Sequence, residues 1–473
     1  MEIRKPKIGL AGVMSTPFKG DKDRSYRNDY EHLVELADQT GFELHTFPAG
    51  IYTLEQAHAA AAELKEWGAD FILLQNSSFS SGDFIFPFTK GDALLGVWSV
   101  PEGPPAVGGT LPLNSFTSAN LYNSLIRRCA PEYQKPVKWF LGPVDGPLFS
   151  PRLLVTVQAL RGIINLPGKQ VALIGGVAPS FYNLAADEKK LYQRLGLRVV
   201  NVELEELISR AELIAADKVS ARAAEIQATA VQFDARYSPA LSKTARVYEG
   251  LQALAEEKNF QAAAISCWPR FQSEYQLAVC TMLGHLNQTG MAAACEGDVP
   301  AAVSMLLLHL MTAGETVSLM DLASVDPQDE SILLWHCGPT APSLADPRGA
   351  RLQPLWLFDG QAPEPIGLHN DLVLRRGSAT ILGLTPGFDS MLVLAGEIDP
   401  DKPSYTGSRG WMRDLHINGM KVTTAELVQT IMTSGYQHHY PFAYGSLSDA
   451  ALELAAWLGI QPIPLEPYTH YVR

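Results

Sequence analysis

The stretch MAAACEGDVPAAVSMLLLHLM, residues 291–311, runs from a short apolar segment through a polar turn into a longer apolar one. Its only acids are Glu296 and Asp298, both in the turn. A brief apolar run followed by one of helix length is the strand–turn–helix unit of a parallel sheet with crossover helices. Carboxylates placed in such apolar surroundings need a partner, because an unpaired buried charge is strongly unfavourable. Asp298, one residue before the helix that starts at Val299, suits the N-cap, where its side chain accepts a backbone N–H. Glu296 closes the strand, and ligands of open α/β sheets bind at the carboxyl ends of strands. Asp321 lies in the following strand, TVSLMD, within reach of the same crevice. Two carboxylates brought together repel unless a cation holds them. Two readings stand at this point: a capping acid and a solvated strand end, or an oxygen-rich site for a divalent cation.

The same alternation extends upstream of residue 291. KQVALIGG, LRVVNVE and AAAISCW read as buried strands, separated by helices such as ADEKKLYQRLG, from Pro167 onward. The opening follows the same grammar, with KIGLAGV, ELHTFPA, ADFILLQNS and LLGVWSVPE as strands, and Gly41 and Gly68 placed as helix C-caps. Downstream, TVSLMDLASVD and SILLWHCG extend the second α/β segment. Beyond Ser343 the pattern becomes short alternating runs, LVLRRGSATILG and SMLVLAGEID, and the chain closes with helices TTAELVQTIMTSG and SLSDAALELAAWLG. The expected class is α/β: two open parallel-sheet, Rossmann-like domains at 1–166 and 167–342, then a β-rich, barrel-like C-terminal domain at 343–473.

Composition narrows the function. The 473 residues carry a net charge of −13, with 47% hydrophobic and 18% charged residues, and the pI is about 5.4. Nucleic-acid binding needs clustered Lys and Arg, and no basic stripe is present. The opening MEIRKPKIGLAGV lacks the apolar core of a signal peptide, and no apolar run approaches the ~20 residues of a membrane span. A soluble, cytoplasmic protein is expected. The five cysteines, at 129, 267, 280, 295 and 337, show neither CxxC pairs nor a disulfide framework and read as small buried hydrophobes.

His336, after an apolar strand in LLWHCG, reads either as a core histidine or as a ligand contact. His438 and His439 follow a helix, and alternation along a strand would let only one of them reach a given site. Trp98 and Trp268, near strand ends, can floor a sugar site or fill a core. LIGGVAPS is not GxGxxG, and neither a P-loop nor GxSxG occurs.

ACEGDVPAAVSMLLLHLMTAGETVSLMD resembles the glutamate-to-aspartate segment of the L-fucose isomerase and L-arabinose isomerase superfamily, and HHYPFAYGSLSDAALELAAWLGI resembles its C-terminal histidine segment. The similarity is closest to a shortened L-fucose isomerase branch. It departs from that branch at IGLAGVMSTPF, which lacks the arginine found shortly after the first strand. The resemblance implies Glu296, Asp321 and His439 as metal ligands, usually for Mn²⁺, with Mg²⁺ or Co²⁺ as alternatives. It implies Glu296 and Asp321 as the acid/base pair of a cis-enediol aldose–ketose isomerisation. Trp98, Trp268, His336 and His438 would contact substrate, Trp98 from a neighbouring subunit of a trimer or hexamer with sites near its interfaces. The leading substrate is a free monosaccharide, a 6-deoxyhexose or pentose of the L-fucose or D-arabinose type. The same reaction on an anionic sugar, sulfonated as in sulfoquinovose or carboxylated, is the alternative, with Arg270, Arg409 or Arg413 available to the anion. A non-catalytic cytoplasmic sugar-binding protein is the reading from another class.

Overall fold

The computed structural model describes residues 2–105, 107–358 and 366–471. It divides into two compact units, one of residues 4–164 and one of residues 1–3 with 165–473. Among the described residues no helix is long and apolar enough to cross a membrane.

In the 4–164 unit, strands β1 (Lys7–Val13), β2 (Glu43–Thr46), β3 (Phe71–Asn76), β4 (Leu94–Ser99) and β5 (Lys138–Leu141) form a parallel sheet in the order β2-β1-β3-β4-β5. Every residue of β3 and β4 is buried, as strands covered on both faces by crossover helices require. The helices Lys22–Thr40 and Leu54–Trp67 end at Gly41 and Gly68, both left-handed as the sequence predicts.

The second unit begins with a four-stranded parallel sheet of β6 (Gln170–Ile174), β7 (Arg198–Val202), β9 (Ala262–Ile265) and β10 (Ala292–Ala294), in the order β10-β9-β6-β7; β8 (Ala230–Phe233) lies elsewhere. The rest is β-rich: β11 (Val317–Asp326), β12 (Ser331–His336), β13 (Ala350–Pro354), β14 (Leu368–Val373), β15 (Gly377–Leu384), β16 (Ser390–Asp399), β17 (Ser408–Ile417), β18 (Met420–Lys421), β19 (His439–Tyr444) and β20 (Gln461–Pro462). Six of these close on themselves. β16 pairs β15, β15 pairs β19, β19 pairs β11, β11 pairs β12, β12 pairs β17 and β17 returns to β16, all antiparallel. The C-terminal region is therefore a closed barrel, with β14, β13 and β8 continuing from β17. The sequence pattern groups β11 and β12 with the α/β segment before them. Their pairing places them in the barrel, because a strand joins whichever edge buries its apolar face.

The helix Val299–Met311, from the opening stretch, is buried at every position. It packs against β9 and β10 of the parallel sheet and against β11, β15 and β19 of the barrel. Its one internal hydroxyl is satisfied at both ends: Ser304 Oγ donates to the Pro300 carbonyl and accepts Leu384 N–H at 2.9 Å. A helix apolar all round is the expected solution for an element enclosed by two sheets.

Candidate active site

The turn after β10 is held in an uncommon conformation. Glu296 and Gly297 are both left-handed, with φ of 59° and 73°. A Cβ at 297 would strike the Gly176 carbonyl oxygen and come within 2.8 Å of Val177 Cα, so only glycine fits there. Glu296 does carry a side chain, and a non-glycine residue in this region costs ~1–3 kcal/mol. The surroundings impose it: Gly297 N–H donates to the Ile265 carbonyl at 3.1 Å, and the Glu296 carbonyl accepts Ala178 N–H at 2.9 Å. The turn is thus tied to the end of β9 and to the loop that follows β6.

Glu296 meets two imidazoles there. Its Oε2 lies 3.0 Å from His438 Nε2 and 3.6 Å from His439 Nε2. Alternation predicts that only one of the adjacent histidines reaches a site. Both do, because His438 precedes β19 and His439 opens it, where the alternation of a paired strand does not yet apply. Burial opposes ionisation of Glu296, but the His438 hydrogen bond and the charges of His439 and His438 hold its carboxyl below the usual value. The bond to Glu296 raises His438 in turn, against its burial.

Asp321 arrives from the barrel. It is the cross-strand partner of His439 on one side and of Trp335 on the other. Its Oδ1 is buried and, among the described residues, has no hydrogen-bond partner. Burial is the largest influence on His336 and would lower it, yet the Asp321 charge and the contacts with Cys337 together outweigh it and lift the imidazole to about 9. His336 stacks on His439 with ring centroids 5.9 Å apart and sets Nε2 3.2 Å from Cys295 Sγ. Trp268 packs edge-on against Phe181, whose ring lies 5.4 Å from that of His438, so an aromatic pair flanks the imidazoles.

Six of the seven residues singled out from sequence, Glu296, Asp321, His336, His438, His439 and Trp268, therefore lie together in one unit. Trp98 lies in the other unit. It is wholly buried on β4, its ring centroid 4.3 Å from that of Phe149 and its Nε1–H donating to the Gly142 carbonyl. A side chain enclosed in this way has no free face for a sugar ring. Each arginine considered for an anion has a carboxylate partner: Arg270 has Glu205 and Glu274, Arg409 has Asp371, and Arg413 has Asp329 and Asp399.

Sequence reasoning gives Asp298 one role and the structure gives it two. Oδ1 accepts Ala301 N–H at 2.8 Å as the helix N-cap, and Oδ2 accepts His439 Nδ1–H at 2.8 Å. In the neutral ring that second bond places the proton on Nδ1 and leaves the Nε2 lone pair facing Glu296, the arrangement typical of metal-ligating histidines. The available signal was an acid inside a run with no exposed position. Cys295, between His336 and His439, and Phe181 carried no sequence signal for the site.

Glu296, His438 and His439 offer donor atoms within 4.8 Å of one another, and Asp321 presents an unpartnered buried oxygen beside them in cross-strand register with His439; carboxylate and imidazole donors of this kind suit Mn²⁺, Mg²⁺ or Co²⁺.

No protein-family model matches the chain. Among curated proteins it is similar to the sulfoquinovose isomerase of Priestia aryabhattai, 26% identical over 418 residues that cover 87% of this chain and 89% of the relative. The sulfoquinovose isomerase of Priestia megaterium matches to the same extent. That of Alkalicoccus urumqiensis is 27% identical over 404 residues, 84% of this chain and 86% of the relative. Among solved structures, the match to a sugar ABC transport substrate-binding protein of Bordetella parapertussis, at a TM-score of 0.17 and 12% identity over 66% of this chain and 81% of that one, is too weak to carry an inference.

Proposed function

We propose that the chain is an enzyme, an aldose–ketose sugar isomerase. Its substrate is a sulfonated sugar, and sulfoquinovose is the compound to test first. The observation that carries this reading is the similarity to sulfoquinovose isomerases along 87% of the chain. It favours the anionic-sugar alternative of the sequence reading over a neutral 6-deoxyhexose or pentose.

Glu296, Asp321 and His439 would hold the divalent cation, Mn²⁺ first and Mg²⁺ or Co²⁺ as alternatives. When bound, such a cation polarises the carbonyl and adjacent hydroxyl of an open-chain sugar and acidifies the neighbouring C–H. The proton work falls to the chain's carboxylates: in the aldose-to-ketose direction, Glu296 or Asp321 takes the C2 proton and delivers it to C1 through a cis-enediol. His438 and His336, hydrogen-bond donors on either side of His439, orient the sugar hydroxyls. Trp268 and Phe181 offer the apolar face against which the carbon skeleton rests. A cytoplasmic homo-oligomer, trimer or hexamer, with sites near its subunit interfaces belongs to the same proposal and is supported by the resemblance of the two C-terminal segments.

The test is proton exchange at C2, followed by NMR in D₂O, on sulfoquinovose and on its neutral 6-hydroxy and 6-deoxy counterparts, with and without Mn²⁺. Metal-dependent exchange on the sulfonated sugar, with much slower exchange on the neutral ones, is expected. Exchange confined to a neutral sugar would overturn the substrate assignment, and no exchange on any would return the binding-protein reading. Glu296→Gln should lower exchange by several orders of magnitude while leaving sugar binding measurable.

A further inference from the structure

Cys295 adjoins Glu296 but takes no part in the proposed reaction, and it is only 3% exposed. Its Sγ lies 3.2 Å from His336 Nε2 and 3.7 Å from His439 Nε2. These three donor atoms all fall within 4.8 Å of one another, and the three side chains are buried. A tetrahedral ion with a sulfur ligand at ~2.3 Å and a nitrogen ligand at ~2.05 Å needs an S···N separation of ~3.5 Å. The two observed distances bracket that value, so a cation would settle here with little movement of the side chains.

We propose that Cys295, His336 and His439 form a second cation site, selective for thiophilic divalent ions such as Zn²⁺ and Cd²⁺, which shares His439 with the Glu296 site. The chemistry of the donors sets the selectivity: a thiolate with two imidazoles favours soft and borderline ions, while the carboxylates around Glu296 favour hard ones. Cys337 N–H donates to His336 Nδ1 at 2.8 Å, which keeps the ring proton on Nε2. Loading therefore releases the Cys295 thiol proton to solvent and moves the His336 proton from Nε2 to Nδ1, where it exchanges the backbone bond for Cys337 Sγ at 3.2 Å, and the thiolate becomes the ligand. Because His439 Nε2 has one lone pair, the two sites cannot be filled together. A soft ion therefore removes a ligand from the Glu296 site. The inference concerns binding alone and does not rest on the isomerase reading.

The test uses the full chain stripped of metal and titrated with Co²⁺ while thiolate-to-cobalt charge-transfer absorption is recorded. A site of oxygen and nitrogen ligands gives no such band, so the signal reports the sulfur directly. The wild type should develop the band, Cys295→Ser should abolish it, and Cys280→Ser and Glu296→Gln should retain it. Circular dichroism verifies that each variant is folded, and Cys295→Ala serves if the serine variant is not. Excess Mn²⁺ should erode the band in the wild type through competition for His439. No band in the wild type, or a band that survives loss of the Cys295 sulfur, would overturn the site, and a band indifferent to Mn²⁺ would overturn the sharing of His439. Turnover is not read in any arm, so failure here leaves the proposed reaction standing, and failure of sugar exchange leaves this site standing.

Discussion

Asp298 has two oxygens and two partners, a helix N-terminus and His439 Nδ1. Asp298→Asn can keep the cap through its amide oxygen but turns an N–H donor toward His439. The ring must then shift its proton to Nε2, where it blocks coordination. Mn²⁺ affinity measured by calorimetry should fall ~10–100-fold while the protein stays folded. Asp298→Ala should show the same loss and an additional ~1 kcal/mol of destabilisation from the missing cap. If Asp298→Asn binds Mn²⁺ like the wild type, the tautomer argument is wrong. A second acid makes a prediction in pH. Burial pushes the Asp29 carboxyl up to about 6, against the hydrogen bonds from Gln75 and Ser25. With an unfolded value near ~3.9, its contribution to stability is complete below about pH 4 and is lost as pH rises through 6. Asp29→Asn removes the charge and keeps an acceptor. It should therefore stabilise the protein at pH 8 by up to ~3 kcal/mol, less whatever solvent screening removes, and by almost nothing at pH 4. Urea unfolding at the two pH values decides, and an equal shift at both would refute the assignment.

The strand–turn–helix element between β10 and Met311 shows what local pattern can and cannot reveal. Its strand, its cap and its apolar helix were all legible in residues 291–311, because each follows from spacing within a few residues. The left-handed pair Glu296–Gly297 was not, since the Gly176 carbonyl that forbids a side chain at 297 comes from a distant loop. Gly297→Ala should cost upwards of ~3 kcal/mol or displace Glu296, and it should abolish activity even where the protein folds. Leu306→Ala, within the same helix and fully buried, should cost ~2–5 kcal/mol with little change in Mn²⁺ affinity. Comparing the two by denaturation and metal titration separates damage to the core from damage to the turn. The barrel strands were partly legible: their alternation predicted β structure, but the pairing of β11 with β19 joins segments far apart in the chain. The meeting of Asp321 with His439 was accordingly reached through resemblance and not through periodicity.

At the scale of the whole molecule, the α/β class and the C-terminal barrel follow from how the apolar runs change along the chain. What pattern could not supply was membership: β11 and β12 look like a continuation of the α/β segment until their edges are paired. Trp98 shows the converse, a tryptophan at a strand end that fills the core of the 4–164 unit. All three proposed ligands lie in the 165–473 unit, so Mn²⁺ should act on the two units unequally. At a hundredfold excess over its dissociation constant it should stabilise that unit by ~2.7 kcal/mol. Scanning calorimetry should show the corresponding transition moving up and any separate transition of the 4–164 unit staying in place. A chelator should reverse the shift, and equal movement of both transitions would refute the assignment.

The ring of six strands has a kinetic consequence. β11 and β19 each have a neighbour on both edges, and the ring has no end from which to fray. Amide protons of Met320 to Leu322 and of Tyr440 and Phe442, on either side of Pro441, can therefore meet deuterium only when a large part of the barrel opens at once. Among the backbone positions near the proposed ligands, these should exchange last. The Glu296 turn, held by one bond to the end of β9 and one to the loop after β6, should exchange earlier, so the carboxylate most exposed to local opening is the one presented by a turn.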